Sequence, residues 1–508
     1  MDKPIEEAPM TQADTINAPT AGKTEHVDVL IVGAGISGVG SAYHLQDQAP
    51  NKTYAILEKY ETFGGTWHMH TYPGVRSDSD LYTFGYRFKP WTSAPIASAE
   101  EIKKYMAEVI TENHIDKNIR YRHEITAASW SSRDQRWTVT VTNLAKGESF
   151  QMTANFLWMC QGYYKHSQGY TPEWPGMDQY KGRIVHPQTW PKDLDYTGKK
   201  VLVIGSGATA ATLVPAMAAD CEHVTILQRS PTYFIPGRNV NELADTLRQL
   251  EIDEEWIHEI VRRKVLFDGQ AVTDMAFQYP DMVKDALLDG IKPLLPEGYD
   301  MKHFTPKYRP WQQRIAFVPE GDLFAGIKSG KASMVTDEIE TFTATGVRTK
   351  DGTVIDAEII VTATGFHLSV LGDIPFDLDG KPLNWADTVT YRGMMFTGVP
   401  NLAWVFGYFR ASWTLRVDIM GDFITRLFKH MDAKGVHSVT PQLRPEDADM
   451  PIGAWMDPDN FNPNYLMRSQ HLMPKSGDKQ EWKHDQNYTL EKNVLPTVDL
   501  EDGCLVFE

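Results

Sequence analysis

Cysteine is scarce in this chain. Its 508 residues contain three, Cys160, Cys221 and Cys504, none with a partner at CxxC or CxxxxC spacing. That argues against a disulfide scaffold, a thiolate zinc site and a redox-active dithiol. It fits a reducing compartment, so a cytoplasmic location is expected. No apolar run approaches the roughly 18 residues that cross a bilayer. Residues 1–26 lack the apolar stretch of a signal peptide, and their Thr, Ala, Pro and acidic content reads as a flexible tail. Positive charge is short as well: 50 Lys and Arg stand against 67 Asp and Glu, for a net charge of −17. A phosphate backbone would be repelled, which argues against nucleic acid and anionic membrane surfaces as main partners. His68 and His70 form an HxH pair without a third ligand at metal spacing, so no metal site is expected.

What the chain does have is length, aromatic residues and two glycine-rich turns that follow apolar strands. Its length exceeds one compact core and implies two or three domains. The 14 Trp and 21 Tyr suit core packing first and a lined pocket second. Residues 27–33, VDVLIVG, read as a strand buried on both faces. GAGISG follows, with Gly33, Gly35 and Gly38, then a helical pattern, then a second strand ending at Glu58. In such a unit the first glycine allows the tight turn and the second lets a pyrophosphate approach. The third lets helix and strand touch, and the acid takes a ribose. The helix N-terminus offers the phosphates unpaired N–H groups. We therefore expect a dinucleotide here, bound by Gly33, Gly35, Gly38 and Glu58.

The unit recurs. KKVLVIG at 199–205 leads into GSGATA, with Gly205, Gly207, Thr209 and Ala210, and the next strand ends in Gln228 and Arg229. Gln228 aligns with Glu58. Loss of the carboxylate beside a guanidinium favours a 2′-phosphate, so this unit is expected to prefer NADP. Two different dinucleotide sites imply FAD in the first and NADPH in the second, with hydride passing from nicotinamide to flavin. The expected fold is α/β, with two Rossmann-like dinucleotide-binding domains. Residues 27–165 begin the FAD domain, and 175–365 form the NADP domain with a helical insertion at about 235–310. Residues 366–508 return to the FAD domain. A capping box, Ser98 with Glu101, starts a helix with apolar Ile102, Tyr105, Met106 and Val109.

The chemistry rests on shorter motifs. GGTWHMHTYPGVRSDSD, 64–80, places Gly64, Gly65, Trp67, Tyr72 and Pro73 ahead of Asp78 and Asp80. Residues 180–191, YKGRIVHPQTWP, contain Tyr180, Gly182, His186, Trp190 and Pro191, and ATG stands at 363–365. Together these resemble the motifs of type I Baeyer–Villiger monooxygenases, the class B flavoprotein monooxygenases. The 180–191 stretch is similar to their Phe-x-Gly-x-x-x-His-x-x-x-Trp-Pro fingerprint, with Tyr180 for Phe. VIGSGATA, LQRSPTY, LPEGYD and ASWTL are most similar to the branch containing the bacterial thioamide-prodrug-activating monooxygenase.

The resemblance implies an NADPH- and O2-dependent enzyme working through a C4a-peroxyflavin. It would insert oxygen beside the carbonyl of a lipophilic ketone to give an ester or lactone, with sulfoxidation as a side activity. Arg314 matches the family's active-site Arg, which keeps the peroxide anionic, and Asp78 would orient it. Gly65 and Trp67 would line the flavin. His186 would couple domain movement, although a histidine satisfied by backbone in a linker fits the same residues. In the resemblance, segment 180–191 belongs to the hinge. Trp190 points away from N- and S-oxygenating flavin monooxygenases, which usually carry Tyr there. These enzymes are the alternative, and a redox-sensing flavoprotein is a third reading. Gln313 stands where many members carry Lys for the 2′-phosphate, which transfers the NADPH preference to Arg229. Trp413 serves equally as a pocket wall or as core, and Trp482 suggests a mobile loop over the cofactors.

Overall fold

The computed structural model describes residues 24–508. The tail reading for residues 1–23 lies outside them, and Glu25 and His26 already belong to a strand rather than to a tail. That strand, β1 (Glu25–Val32), is followed by helix α1 (Ile36–Gln48) and β2 (Tyr54–Leu57). Next come β3 (Ile119–Arg120), β4 (His123–Ser131), β5 (Arg136–Asn143) and β6 (Glu148–Met159). β1 lies parallel between β2 and β6. Val29 and Ile31 enter one apolar cluster, and Val27, Leu30 and Val32 enter another on the opposite face. Burial on both sides explains why this strand reads as an unbroken apolar run rather than an alternating one.

β6 does two jobs along its length. Its first half pairs antiparallel with β5, and its second half carries β1 on one side and the strand Leu402–Trp404 on the other. The chain therefore comes back to this sheet long after leaving it. The helix Thr414–Lys434 then packs on α1, where a Cβ on Gly421 would stand 2.5 Å from His44, and His44 Nε2 meets Asp418 Oδ1 at 3.0 Å. The helix Ala99–Glu112 begins on the expected capping box. Ser98 Oγ accepts from Glu101 N, and the Glu101 carboxylate accepts from Ser98 N.

The second sheet is wholly parallel. β8 (Arg183–Val185), β9 (Lys200–Ile204) and β10 (His223–Gln228) join strands Ala332–Thr336 and Ile359–Thr362. From one edge the order is Ala332–Thr336, β10, β9, Ile359–Thr362, β8. β9, the turn at Gly205 and the helix Ala208–Ala218 repeat the arrangement of β1 and α1. The fold is thus the expected α/β pair of Rossmann-like units. Two crossings link them. β7 (Tyr164–Gly169) leads out of the first sheet, Phe366–Leu368 leads back, and the two pair antiparallel.

Helices Glu242–Gln249, Glu254–Gln278 and Pro280–Ile291 form the insertion. The 25-residue middle helix reaches across to the first unit. Its buried Arg262 donates to the carbonyls of Tyr82, Thr83 and Gly85 and pairs with Asp418 at 3.1 Å. Among the described residues, no helix is long and apolar enough to cross a membrane.

Candidate active site

One cleft of about 1140 Å³ runs from the turn after β1 to the turn after β9. Gly33, Gly35, Glu58, Gly65, Trp67, Asp78, His186, Gly205, Gly207, Thr209, Arg229, Gln313 and Arg314 line it. Gly38 and Ala210 do not, because they pack helix against strand. A Cβ on Gly38 would sit 1.9 Å from the Gly33 carbonyl oxygen, so only a bare Cα fits. Gly35 faces Gly65, the nearest atom to a Cβ there being Gly65 Cα at 3.6 Å. No side chain caps α1 at Gly35 or the later helix at Gly207, and both N-termini open onto the cleft. Exposed N–H groups with positive dipole at both ends of one cavity make two anion sites.

Between these ends stands a charge pair. Arg314 Nε lies 2.7 Å from Asp78 Oδ2, and its Nη2 donates to Asp78 Oδ1 at 2.8 Å and to Ser79 Oγ at 3.2 Å. This is a two-point fork that fixes the guanidinium plane. Asp78 is held there by its loop. A Cβ on Gly74 would come within 2.6 Å of Ala216 Cβ, so the YPG turn lies hard against the helix of the second unit. Burial pulls the Arg314 guanidinium down, but the Asp78 carboxylate and the phenols of Tyr163, Tyr465 and Tyr164 outweigh it and leave the group above its usual range. Arg314 is 40 % accessible, and it lines both the main cleft and a smaller cavity of about 420 Å³ beneath the inserted helix. It can therefore meet a ligand in either space without breaking the Asp78 pair.

Residues 31–93 match the family described as NAD(P)-binding Rossmann-like domain, and residues 91–243 the family described as Flavin-binding monooxygenase-like. Over 487 residues the chain is 45 % identical to the FAD-containing monooxygenase EthA of Mycolicibacterium smegmatis, covering 95 % of this chain and 97 % of that one. The chain belongs to the FAD-containing monooxygenases. Two solved structures share the fold of this monooxygenase. The oxidized steroid monooxygenase bound to NADP is 22 % identical with a TM-score of 0.74, over 95 % of this chain and 99 % of that one. The cyclohexanone-bound cyclohexanone monooxygenase in the Rotated conformation is 22 % identical with a TM-score of 0.65, over 84 % and 90 %.

The first turn of the monooxygenase fits the flavin nucleotide. It combines an uncapped helix, a glycine facing a glycine, and a buried acid at the end of β2. Glu58 already accepts from Ala34 N at 2.7 Å and Tyr60 N at 2.9 Å, so it also braces the turn. Burial pushes its carboxyl up. In the second unit Gln228 is buried and its amide nitrogen donates to the His303 carbonyl and Thr336 Oγ1, and Arg229 brings a positive charge to the cleft beside it. Gln313 donates to Asn462 Oδ1 at 3.3 Å.

Several expectations need correction. Segment 180–191 is less a hinge than an edge. Its 183–185 portion is β8, paired with Ile359–Thr362, while Tyr180 OH donates to the Ala357 carbonyl. Trp190 and Gly182 do not line the cleft. His186, just after β8, and Gln188, whose Nε2 donates to the Lys165 carbonyl of β7, touch the crossings. The His186 ring lies against Gly169, where a Cβ would meet it at 2.0 Å, its Nε2 is 3.1 Å from the Gly365 carbonyl, and its Nδ1 accepts from Gln188 N. His186 thus packs on β7 and bonds beside the return strand. Trp482 is not on a mobile loop over the cofactors. It is fully buried, with Nε1 donating to Asp447 at 3.0 Å, because the C-terminal segment folds into its own polar cluster. In that cluster Asp447, Glu481 and Cys504 stand together, but Arg444 and Lys479 already hold the carboxylates. His68 pairs with Glu61 at 3.2 Å, and Asp80 caps the short helix Leu81–Phe84. Trp413 lines the cleft, stacks on Tyr163 and donates to Ser37 Oγ at 2.8 Å.

Sequence reasoning missed Tyr163, Tyr164 and Tyr465, which line the same cleft as Arg314 and whose phenols favour its charge. The first two stand four and five residues past the end of β6, and the outer end of a parallel strand is where such sites form. The cleft also contains His70 and His166, both held down to about 4 by burial, with further repulsion from His166 and His186 on His70 and from Lys59 on His166. The unfolded chain takes up these protons near pH 6.5, whereas the folded one stays neutral to about pH 4, so acidification through that window favours unfolding. Urea midpoints should fall between about pH 7.5 and about pH 5, with a smaller fall in His166→Gln.

Proposed function

We propose that this monooxygenase is NADPH-dependent and inserts one oxygen atom beside the carbonyl of a lipophilic ketone, giving an ester or lactone, with sulfoxidation as a side activity. In this reading residues 27–165 and 366–508 form the FAD domain and 175–365 the NADP domain. The observation that carries it is the Arg314–Asp78 fork on the cleft wall. Bound flavin, once reduced by the nicotinamide, supplies the electrons that activate O2. The chain's own residues do the rest. Gly33, Gly35, Gly38 and Gly65 let the flavin nucleotide approach, with Glu58 at its ribose and Trp67 against it. Gly205, Gly207, Thr209 and Ala210 offer the second helix N-terminus to the NADPH pyrophosphate, with Arg229 at the adenosine end and Gln313 beside Arg314.

Arg314 provides a fixed positive charge where negative charge gathers on oxygen during attack on the carbonyl. Asp78 orients that charge and keeps it from swinging away. Trp67, Phe84, Tyr163, Trp413 and Tyr465 give the cleft an aromatic lining, which suits an apolar ketone. His186, tied to backbone at both ring nitrogens and packed on a crossing strand, transmits movement between the units and takes no part in proton transfer. Burial lowers its pKa, which keeps the imidazole neutral at pH 7.

The test is NADPH and O2 consumption by the purified flavoprotein against a panel of ketones and sulfides, with products identified by mass. An ester carrying one oxygen more than its ketone supports the reading. Oxygenation of sulfides and amines with no ketone product would replace it with soft-nucleophile oxygenation. NADPH oxidation that no substrate stimulates would remove both.

A further inference from the structure

Six cationic side chains line the main cleft: Lys59, Arg76, Lys165, Arg229, Arg314 and Arg468. Four are matched by carboxylates: Lys59 by Glu124 at 3.3 Å, Arg76 by Asp322 at 2.6 Å, Lys165 by Asp373 at 4.0 Å and Arg314 by Asp78 at 2.7 Å. Among the described residues, Arg229 and Arg468 have no carboxylate within 4.0 Å. We infer that these two guanidiniums form a single clamp for a phosphomonoester, the 2′-phosphate that distinguishes NADPH from NADH, and that Arg468 takes over the cationic role that Gln313 cannot fill. The inference rests on the NADPH reading above and adds the residue that sets its selectivity.

Arg229 comes from the end of β10, the strand end at which a Rossmann unit meets the adenosine ribose. Arg468 comes from a remote part of the chain, the helix Asn464–Ser469. That helix begins two residues after Asn462, the residue that holds the Gln313 side chain. The same short stretch thus engages the neutral side chain at 313 and delivers a charge of its own to the cleft. Arg468 is fixed in place. Its guanidinium lies over the Tyr170 ring at 3.5 Å, and Nη2 donates to the Phe366 carbonyl at 3.2 Å. Stacking sets the plane and leaves other N–H groups of the fork without a protein acceptor, as phosphate recognition needs.

The charge of Arg229 reaches Arg468. Burial lowers the Arg468 guanidinium, Tyr170 raises it, and Arg229 lowers it further. Two like charges kept close without a carboxylate partner are unfavourable until an anion arrives, and they sit in a chain with a net charge of −17. Asp337 and Glu338 line the same cleft, and the charge of Arg229 helps lower the Glu338 carboxyl, but both carboxylates already have closer partners. Glu338 pairs with Lys350, and Asp337 accepts from Glu338 N and Asp351 N, each at 2.8 Å.

The experiment measures binding of NADP+, NAD+, 2′,5′-ADP and 5′-AMP to the flavin-loaded protein by titration calorimetry. Flavin absorbance and thermal unfolding serve as checks of folding. Arg468→Ala is expected to weaken NADP+ and 2′,5′-ADP by about tenfold or more while NAD+ and 5′-AMP stay within about twofold, and Arg468→Lys should lie between. Arg229→Ala should give the same pattern. Equal loss for the ligands with and without the 2′-phosphate, or no loss for any, overturns the clamp. A wild-type protein that binds NADP+ no better than NAD+ overturns the NADPH reading itself, and the clamp with it.

Discussion

Arg314→Ala is expected to cut the kcat for ketone oxygenation by about a hundredfold to a thousandfold, the range for removal of one preorganised donor from a developing oxyanion, or roughly 3–4 kcal/mol. The variant should still bind flavin, because Arg314 is bonded to Asp78 and Ser79 and to no residue of either glycine turn. Arg314→Lys keeps a charge but loses the fork that Asp78 holds at two points, so it should recover only part of the rate. Asp78→Asn should resemble the lysine variant, since it leaves the guanidinium in place but no longer anchors it with charge. Sulfide oxygenation separates the chemistries. A soft nucleophile attacks the distal oxygen and builds no carbonyl oxyanion, so its turnover should fall far less than that of a ketone. Parallel kcat values for ketone and sulfide, with product masses, are the measurement. A ketone rate at the wild-type level in Arg314→Ala would end the proposed chemistry.

The second large effect separates the two nucleotide sites. Gly38→Ala would push a Cβ to 1.9 Å from the Gly33 carbonyl, a backbone atom that cannot turn aside. Helix α1 would have to move off β1, at a cost of about 3 kcal/mol from overpacking. The flavin turn opens with that shift, so the purified protein should lose flavin absorbance and unfold at lower temperature. Gly205→Ala meets a different neighbour. Its Cβ would fall 2.3 Å from the Ala363 carbonyl, at a backbone φ of +123° that other residues rarely adopt. That strain lies in the second sheet. The variant should retain flavin while its affinity for NADP+ falls, as followed by flavin absorbance and calorimetry. Loss of flavin from Gly205→Ala, or full flavin occupancy in Gly38→Ala, would contradict the separate assignment of the turns.

Much of the site was legible because its residues are close in sequence. The glycines of each turn and the acid at the end of β2 act within a few residues of the strand that positions them, and Asp78 follows closely on the YPG turn. Local spacing encodes local geometry there, and composition alone removed disulfide, zinc and nucleic-acid readings. The misread segments depend on distant partners. Trp482 looked exposed because its neighbourhood is polar, yet those polar groups come together around Asp447 and bury it. The 180–191 stretch looked like a linker because β8 is only three residues long and gains its strand character by pairing with residues 359–361, far along the chain.

The sequence by itself determined the two dinucleotide turns and the α/β class, because glycine spacing and apolar runs act on the backbone within one strand–helix unit, whereas the candidate pair Arg314 and Asp78 came from the family resemblance. Only the tertiary structure decided which cations in the cleft are neutralised, which tyrosines line it with Arg314, and that Arg468 lines the same cleft as Arg229. All of these contacts but Lys59 with Glu124 join residues more than 100 positions apart, and no local propensity carries that information. They arise because two crossing strands and a returning helix fold the second half of the chain back over the first.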